Sequence, residues 1–279
     1  MPSHAIPVAF SLAAMLCWGT SDFTGGYATR RAPAFLFTTI THASGACLML
    51  SLAWLSRSPL PLKGTIEWSI LAGVLAGVSL AIFYAALASG KMGIVTPVTA
   101  VLSAGIPAII GIVTEGAPHA VAVIGFVLAA AGIWLISRSE QGARPEGLGL
   151  AIISGLGFAG YFLCVRQAGG GSPLWIAGLS RACSLLITGI IVVIWARKSR
   201  ILPADIRMAV LTGAIDVTGS ALFVRALQHG RLDSVVVLSS LYPGVTVLLA
   251  RLVLKEHLPR WKVVGMLAAL AAVPMIALP

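Results

Sequence analysis

With 279 residues, 58% of them hydrophobic and only 10% charged, the chain lacks the charged surface of a water-soluble domain, where about a quarter of residues carry charge. A mean hydropathy of +0.97 excludes a solvated globular surface as well. The formal net charge of +10 does not indicate a nucleic-acid partner, because Lys and Arg are scattered singly between apolar runs, a pattern that membrane insertion explains.

Ten apolar runs follow one another, at 8–28, 34–55, 68–88, 93–114, 120–137, 147–165, 174–196, 208–228, 234–254 and 263–278. Each is close to the ~20 residues needed to cross a ~30 Å hydrocarbon core at 1.5 Å per residue. Continuous apolar runs predict helices, since a barrel strand alternates. The segment before the first run has no basic n-region, so that run is expected to persist as a span rather than leave as a signal peptide.

Taken in order, the first run holds Trp18 and, four residues on and so on the same helical face, Asp22. The second holds His42. The third carries Gly73 and Gly77 at a spacing that lets helices approach closely, then Tyr84. The fourth contains Pro97 and Pro107, and the ninth Pro243 next to Tyr242. Proline removes a backbone donor, so interruptions of both spans are expected. The sixth run contains Gly155, Gly157 and Gly160 in a dinucleotide-type spacing, but no strand precedes it, so these glycines are read as helix packing; Tyr161 follows. Arg181 lies in the seventh run, Asp216 and Arg225 in the eighth, and Arg251 in the ninth. The fifth and tenth carry no ionisable side chain. Four cysteines, Cys17, Cys47, Cys164 and Cys183, sit inside runs without metal-ligand spacing and read as packing residues. No cofactor is expected.

Ionisable groups inside an apolar span are expensive and default to facing one another or a cavity. Distance from the flanking loops puts Asp22, His42 and Asp216 roughly 12 Å inside one face, with Arg181 near enough to reach Asp216. Arg225 and Arg251 lie near helix ends and are expected to snorkel. Trp18, Tyr84, Tyr161 and Tyr242 offer rings for an organic solute, with helix packing as the alternative.

The chain also writes one stretch twice. Residues 83–115 and 223–256 each pass Ala-Leu, then Gly and a basic residue, then an apolar run closing on glutamate. A shift of 140 residues carries Pro33 to Pro173, Gly73 to Gly213, Phe83 to Phe223 and Gly125 to Gly265. This divides the chain into 1–139 and 140–279. Five spans per half is an odd number, so equivalent helices are expected to run in opposite directions. Twelve Lys and Arg fall on the loops between spans 1–2, 3–4, 5–6, 7–8 and 9–10, the basic face. Only Arg57, Lys63, Arg166 and Arg231 fall on the opposite, sparse face. The basic face is therefore expected in the cytoplasm and both termini outside. The expected fold is an all-α polytopic membrane protein of ten transmembrane helices in two inverted five-helix repeats.

The chain resembles the EamA-type ten-helix carriers of the drug/metabolite transporter superfamily. The likeness rests on Trp18-Gly19, on Ala86-Leu87 and Gly90 continuing to Glu115, and on Ala226-Leu227 and Gly230 through Tyr242-Pro243 to Glu256. It implies a small-metabolite carrier of a bacterial inner membrane, often an exporter of amino acids or related compounds, working by alternating access. The expected solute site is lined by Trp18, Asp22, His42, Tyr84, Tyr161, Arg181, Asp216 and Tyr242. Arg181 would meet a carboxylate, and Asp22 or Asp216 would exchange a proton. A hydrophobic-cation carrier, with Asp22 and the aromatic rings as its site, stands beside this reading. An intramembrane enzyme is disfavoured, since the chain has no HExxH, no aspartate-rich motif and no paired nucleophile and base.

Overall fold

The computed structural model describes residues 2–88, 92–137, 148–195, 201–255 and 259–277. They form eleven α-helices: α1 (Pro2–Thr29), α2 (Ala34–Leu55), α3 (Lys63–Ala88), α4 (Met92–Glu115), α5 (Ala120–Ser137), α6 (Leu148–Gln167), α7 (Pro173–Trp195), α8 (Pro203–His229), α9 (Leu232–Ser239), α10 (Tyr242–Leu254) and α11 (Arg260–Ala277). Among the described residues nine segments are long and apolar enough to cross a membrane, with α9 and α10 together making one of them. The last helix, α11, lies along α5. The chain is an integral membrane protein.

Large apolar side chains such as Ile109, Val113, Leu186, Val193, Leu252 and Leu270 are more than half exposed on the outside of the bundle. That is the surface a bilayer covers and water does not. Arg251 stands in the last turn of α10 and is exposed there, in keeping with a snorkelling side chain. The two apolar helices α5 and α11 pack along each other and carry no charge except Arg260 and Lys262 in the first turn of α11.

Proline behaves differently in the two halves. The ninth span breaks as expected: α9 ends at Ser239 and α10 begins at Tyr242, with Pro243 in its first turn. In that position the missing N–H would have had no helical partner anyway. The expected interruption of the fourth span does not occur, and α4 runs as one helix over both Pro97 and Pro107. Subtracting the repeat shift places Ser103 in the register of Pro243, and serine keeps the backbone donor that proline lacks.

Inversion is written in the glycine contacts. A β-carbon at Gly213 of α8 would meet the Thr41 carbonyl oxygen of α2 at 2.2 Å, and one at Gly73 of α3 would meet the Ser180 carbonyl oxygen of α7 at 2.2 Å. The repeat shift carries the first contact onto the second within one residue. Likewise Gly219 of α8 abuts Cys17 of α1, and Gly157 of α6 abuts Ser79 of α3. Helices α5 and α11, the equivalent pair, are antiparallel: Gly125 faces Ile276 while Gly132 faces Ala269. Helices α2 and α7 are antiparallel too, with Gly178 against Leu50 and Thr188 against His42. Two five-helix repeats of opposite orientation therefore enclose one another, α1 packing on α8 as α6 packs on α3. Glycine at these seams is needed because association within lipid depends on backbone proximity rather than on a hydrophobic drive.

Candidate functional site

The site lies where α1, α7, α8 and the broken α9–α10 span meet. Its centre is an ion pair within the second repeat: Arg181 Nη2 of α7 lies 2.7 Å from Asp216 Oδ2 of α8, with side chains 13% and 19% exposed. The same Nη2 donates to Ser220 Oγ at 2.9 Å. Ser220 also accepts a 3.4 Å bond from Trp18 Nε1 and donates to the Asp216 carbonyl oxygen at 3.3 Å. A hydroxyl has one proton and two lone pairs, so Ser220 is fully used. Arg181 Nε is buried and has no hydrogen-bond partner among the described residues.

Asp22 stands apart from this pair. The residue keeps an exposed surface although protein atoms crowd round its carboxylate, it lies within electrostatic reach of both Asp216 and Arg181, and it has no ion-pair partner among the described residues. It sits one helical turn from Trp18, which is buried. One further turn along α1 Gly26 is exposed as well, so the accessible surface along α1 runs from Asp22 towards the basic face.

Towards the sparse face the same space is roofed by rings. Trp18 meets Phe223 at 5.3 Å, Phe162 at 6.1 Å and the edge of Tyr242 at 6.2 Å. Tyr161 packs on Phe162 at 5.3 Å, and Phe162 on Phe223 at 5.1 Å. Leu227, Val235 and Val236 continue this apolar layer. Edge-to-face and tilted rings of this kind make a rigid, amphipathic wall.

Of the expected site residues, Trp18, Asp22, Tyr161, Arg181, Asp216 and Tyr242 come together. His42 is only 5% exposed and is wedged between α2 and α7, its Nδ1 3.4 Å from Thr188 Oγ1. It stands behind Arg181 rather than on the accessible surface. The side chain of Tyr84 lies outside the described residues. Ser220 and Phe162 were not singled out from sequence, and Phe223 was noted only as a repeat position. Ser220 follows Asp216 by four residues, a spacing that puts both on one face of α8 and would have pointed to it.

At the basic face a second ion pair anchors the assembly. Arg31 Nε in the α1–α2 loop lies 2.8 Å from Asp205 Oδ1 in the first turn of α8, and its guanidinium sits over the Tyr27 ring at 5.4 Å. The hydrogen bond to Asp205 is the main cause that raises the Arg31 guanidinium above its ordinary value. Among the described residues no cluster of His, Cys, Asp or Glu is arranged to hold a metal, and the cysteines are free.

Comparison with known proteins bears on this geometry. No curated protein matches the chain. A solved structure described only as "Crystal structure of protein" superposes with a TM-score of 0.78 at 16% identity, over 96% of this chain and 95% of that one, a likeness of fold. The model of the EamA-like transporter family matches twice, over residues 5–138 and 145–278. Matched in both repeats and built as two inverted bundles around a charged interior, the chain belongs to the EamA-like transporter family.

Proposed function

We propose that this transporter moves a small organic metabolite, an amino acid or a related zwitterion, by alternating access through the space between the two repeats. The reading rests on one observation: an accessible Asp22 beside the Arg181–Asp216 pair, under an aromatic roof, deep in an otherwise apolar bundle. The ammonium of the solute goes to Asp22, its carboxylate to the unpartnered Nε of Arg181, and its carbon skeleton against Trp18 and Tyr242. Both charges of a zwitterion are then met. A proton on Asp22 or Asp216 is the natural counter-charge when the solute leaves. The basic face is cytoplasmic in this scheme and the membrane a bacterial inner membrane, so the accessible space faces the cytoplasm and the direction is export.

A second reading draws on the same cluster. Arg181 is already paired by Asp216 whereas Asp22 is not, which leaves a site of net negative charge suited to a lipophilic amine. Purified protein in liposomes, tested with and without a pH gradient, separates the two. Uptake of L-leucine in preference to quaternary amines, stimulated by the gradient, is the expected result. Selective uptake of quaternary amines would establish the second reading, and no uptake of either would overturn both.

A further inference from the structure

At the sparse face the ends of α4, α6, α8 and α9 are joined by charge. Glu115, the last residue of α4, accepts from Arg166 Nη2 of α6 at 2.7 Å and from the backbone N–H of Leu232, the first residue of α9, at 3.0 Å. Arg231, between α8 and α9, donates to the main-chain oxygens of Glu115 and Gly116 at 3.0 and 2.5 Å and to Asp233 Oδ2 at 2.7 Å. Arg166 Nη1 also donates to the Leu227 carbonyl oxygen. Glu115 belongs to the first repeat and these partners to the second. The knot therefore ties the halves together at the end where the central space is closed.

The two arginines are held differently. Asp233 is fully buried and, chiefly through its hydrogen bond, raises the Arg231 guanidinium above its ordinary value, so that pair is a fixed part of the α9 start. Glu115 and Arg166 are 19% and 36% exposed. They look into a cavity of about 520 Å³, lined also by His119, Gln228 and Arg231. This volume admits a molecule of amino-acid size. Beneath the knot lies the apolar layer that contains Cys164, itself 5% exposed.

We propose that this cavity is a second solute subsite, and that a zwitterion opens the knot by inserting between Glu115 and Arg166. The solute's ammonium takes Glu115 and its carboxylate takes Arg166. One ion pair is lost and two form, so neither protein charge is left unpaired in a partly buried place, where removing one partner is costly. A cation satisfies Glu115 but strands Arg166, and an anion does the reverse. A ligand shifts a conformational equilibrium only by its differential affinity for the two states, and here only the zwitterion has one. This rests on the zwitterion-carrier reading above and assigns it a gate.

The test uses a chain whose only cysteine is the native Cys164, made by Cys17→Ser, Cys47→Ser and Cys183→Ser, in nanodiscs that leave both faces accessible. Labelling by a membrane-impermeant maleimide is followed with L-leucine, with leucinol (ammonium only) and with isocaproate (carboxylate only). Leucine is expected to speed labelling roughly five-fold or more, the low end of a coupling between sites, while leucinol and isocaproate leave it unchanged. Glu115→Gln is expected to speed labelling without leucine and to abolish the leucine response. The exchange Glu115→Arg with Arg166→Glu is expected to restore protection, which a loosened fold would not do. Equal responses to all three solutes, or a Cys164 still protected in Glu115→Gln, would overturn the proposal. Leucine uptake in liposomes, measured separately, reports on the carrier reading whatever Cys164 does.

Discussion

At the scale of single residues, the interior of this protein is governed by an incomplete pairing of charge. Asp216 and Ser220 meet two of the donors of Arg181, while among the described residues the buried Arg181 Nε has no hydrogen-bond partner and Asp22 has no ion pair. Removing one member of a buried pair leaves a bare charge at a cost of about 3–5 kcal/mol, whereas replacing both with apolar groups of similar volume is close to neutral. Asp216→Leu is therefore expected to lower the stability of the purified protein by roughly that amount. Combining it with Arg181→Met is expected to recover most of the loss in a denaturation experiment while transport stays absent. A double variant that transports would show the pair to be structural alone. These residues were legible in the sequence because an ionisable group in an apolar run stands out. Ser220, which binds the pair to Trp18, did not stand out, since hydroxyls in membrane helices usually bond back to their own helix, as Thr218 does to Ala214 here. Glu115, Arg166 and Arg231 were read from sequence as a repeat marker and as charges of the sparse face, because at helix ends a charge reads as ordinary loop chemistry, and only the fold reveals that they converge.

At the scale of helices, the halves are fitted together at glycine. The approaches at Gly73 and Gly213 leave no room for a methyl group, whereas Gly105 of α4 has nothing within 4 Å of where one would be. Gly73→Ala and Gly213→Ala should each destabilise the protein by about 1–3 kcal/mol, the usual range for overpacking, and Gly105→Ala should not. Thermal unfolding of the purified variants measures this, and three equal melting temperatures would contradict the seam assignment. The ten runs and their duplication made these helices readable in advance, because apolar length and register are properties of local sequence. The continuity of α4 was not readable. Pro107 alone suggests a break as strongly as Pro243 does, and which one interrupts its helix depends on the residue that holds the break register, Ser103 or Pro243, and on the packing around it.

At the scale of the whole molecule, inversion makes one chain into two bundles that present opposite ends to the same space. The central pair lies within the second repeat, Asp22 and Trp18 come from the first, and the Glu115–Arg166 contact joins the two at the sparse face. Asp22 is exposed on one side of the aromatic layer, and the charged knot lies on the other. A carrier that exposes its site alternately to each side needs such an arrangement, with one end tied while the other is free. The most direct test of a solute site at this layer is counterflow of L-leucine in liposomes reconstituted with Asp22→Asn, an isosteric change that breaks no ion pair of the described structure. Leucine exchange reduced about ten-fold or more, the equivalent of ~1.4 kcal/mol, with unchanged thermal stability is the expected result. Wild-type exchange by a stably folded Asp22→Asn protein would contradict it.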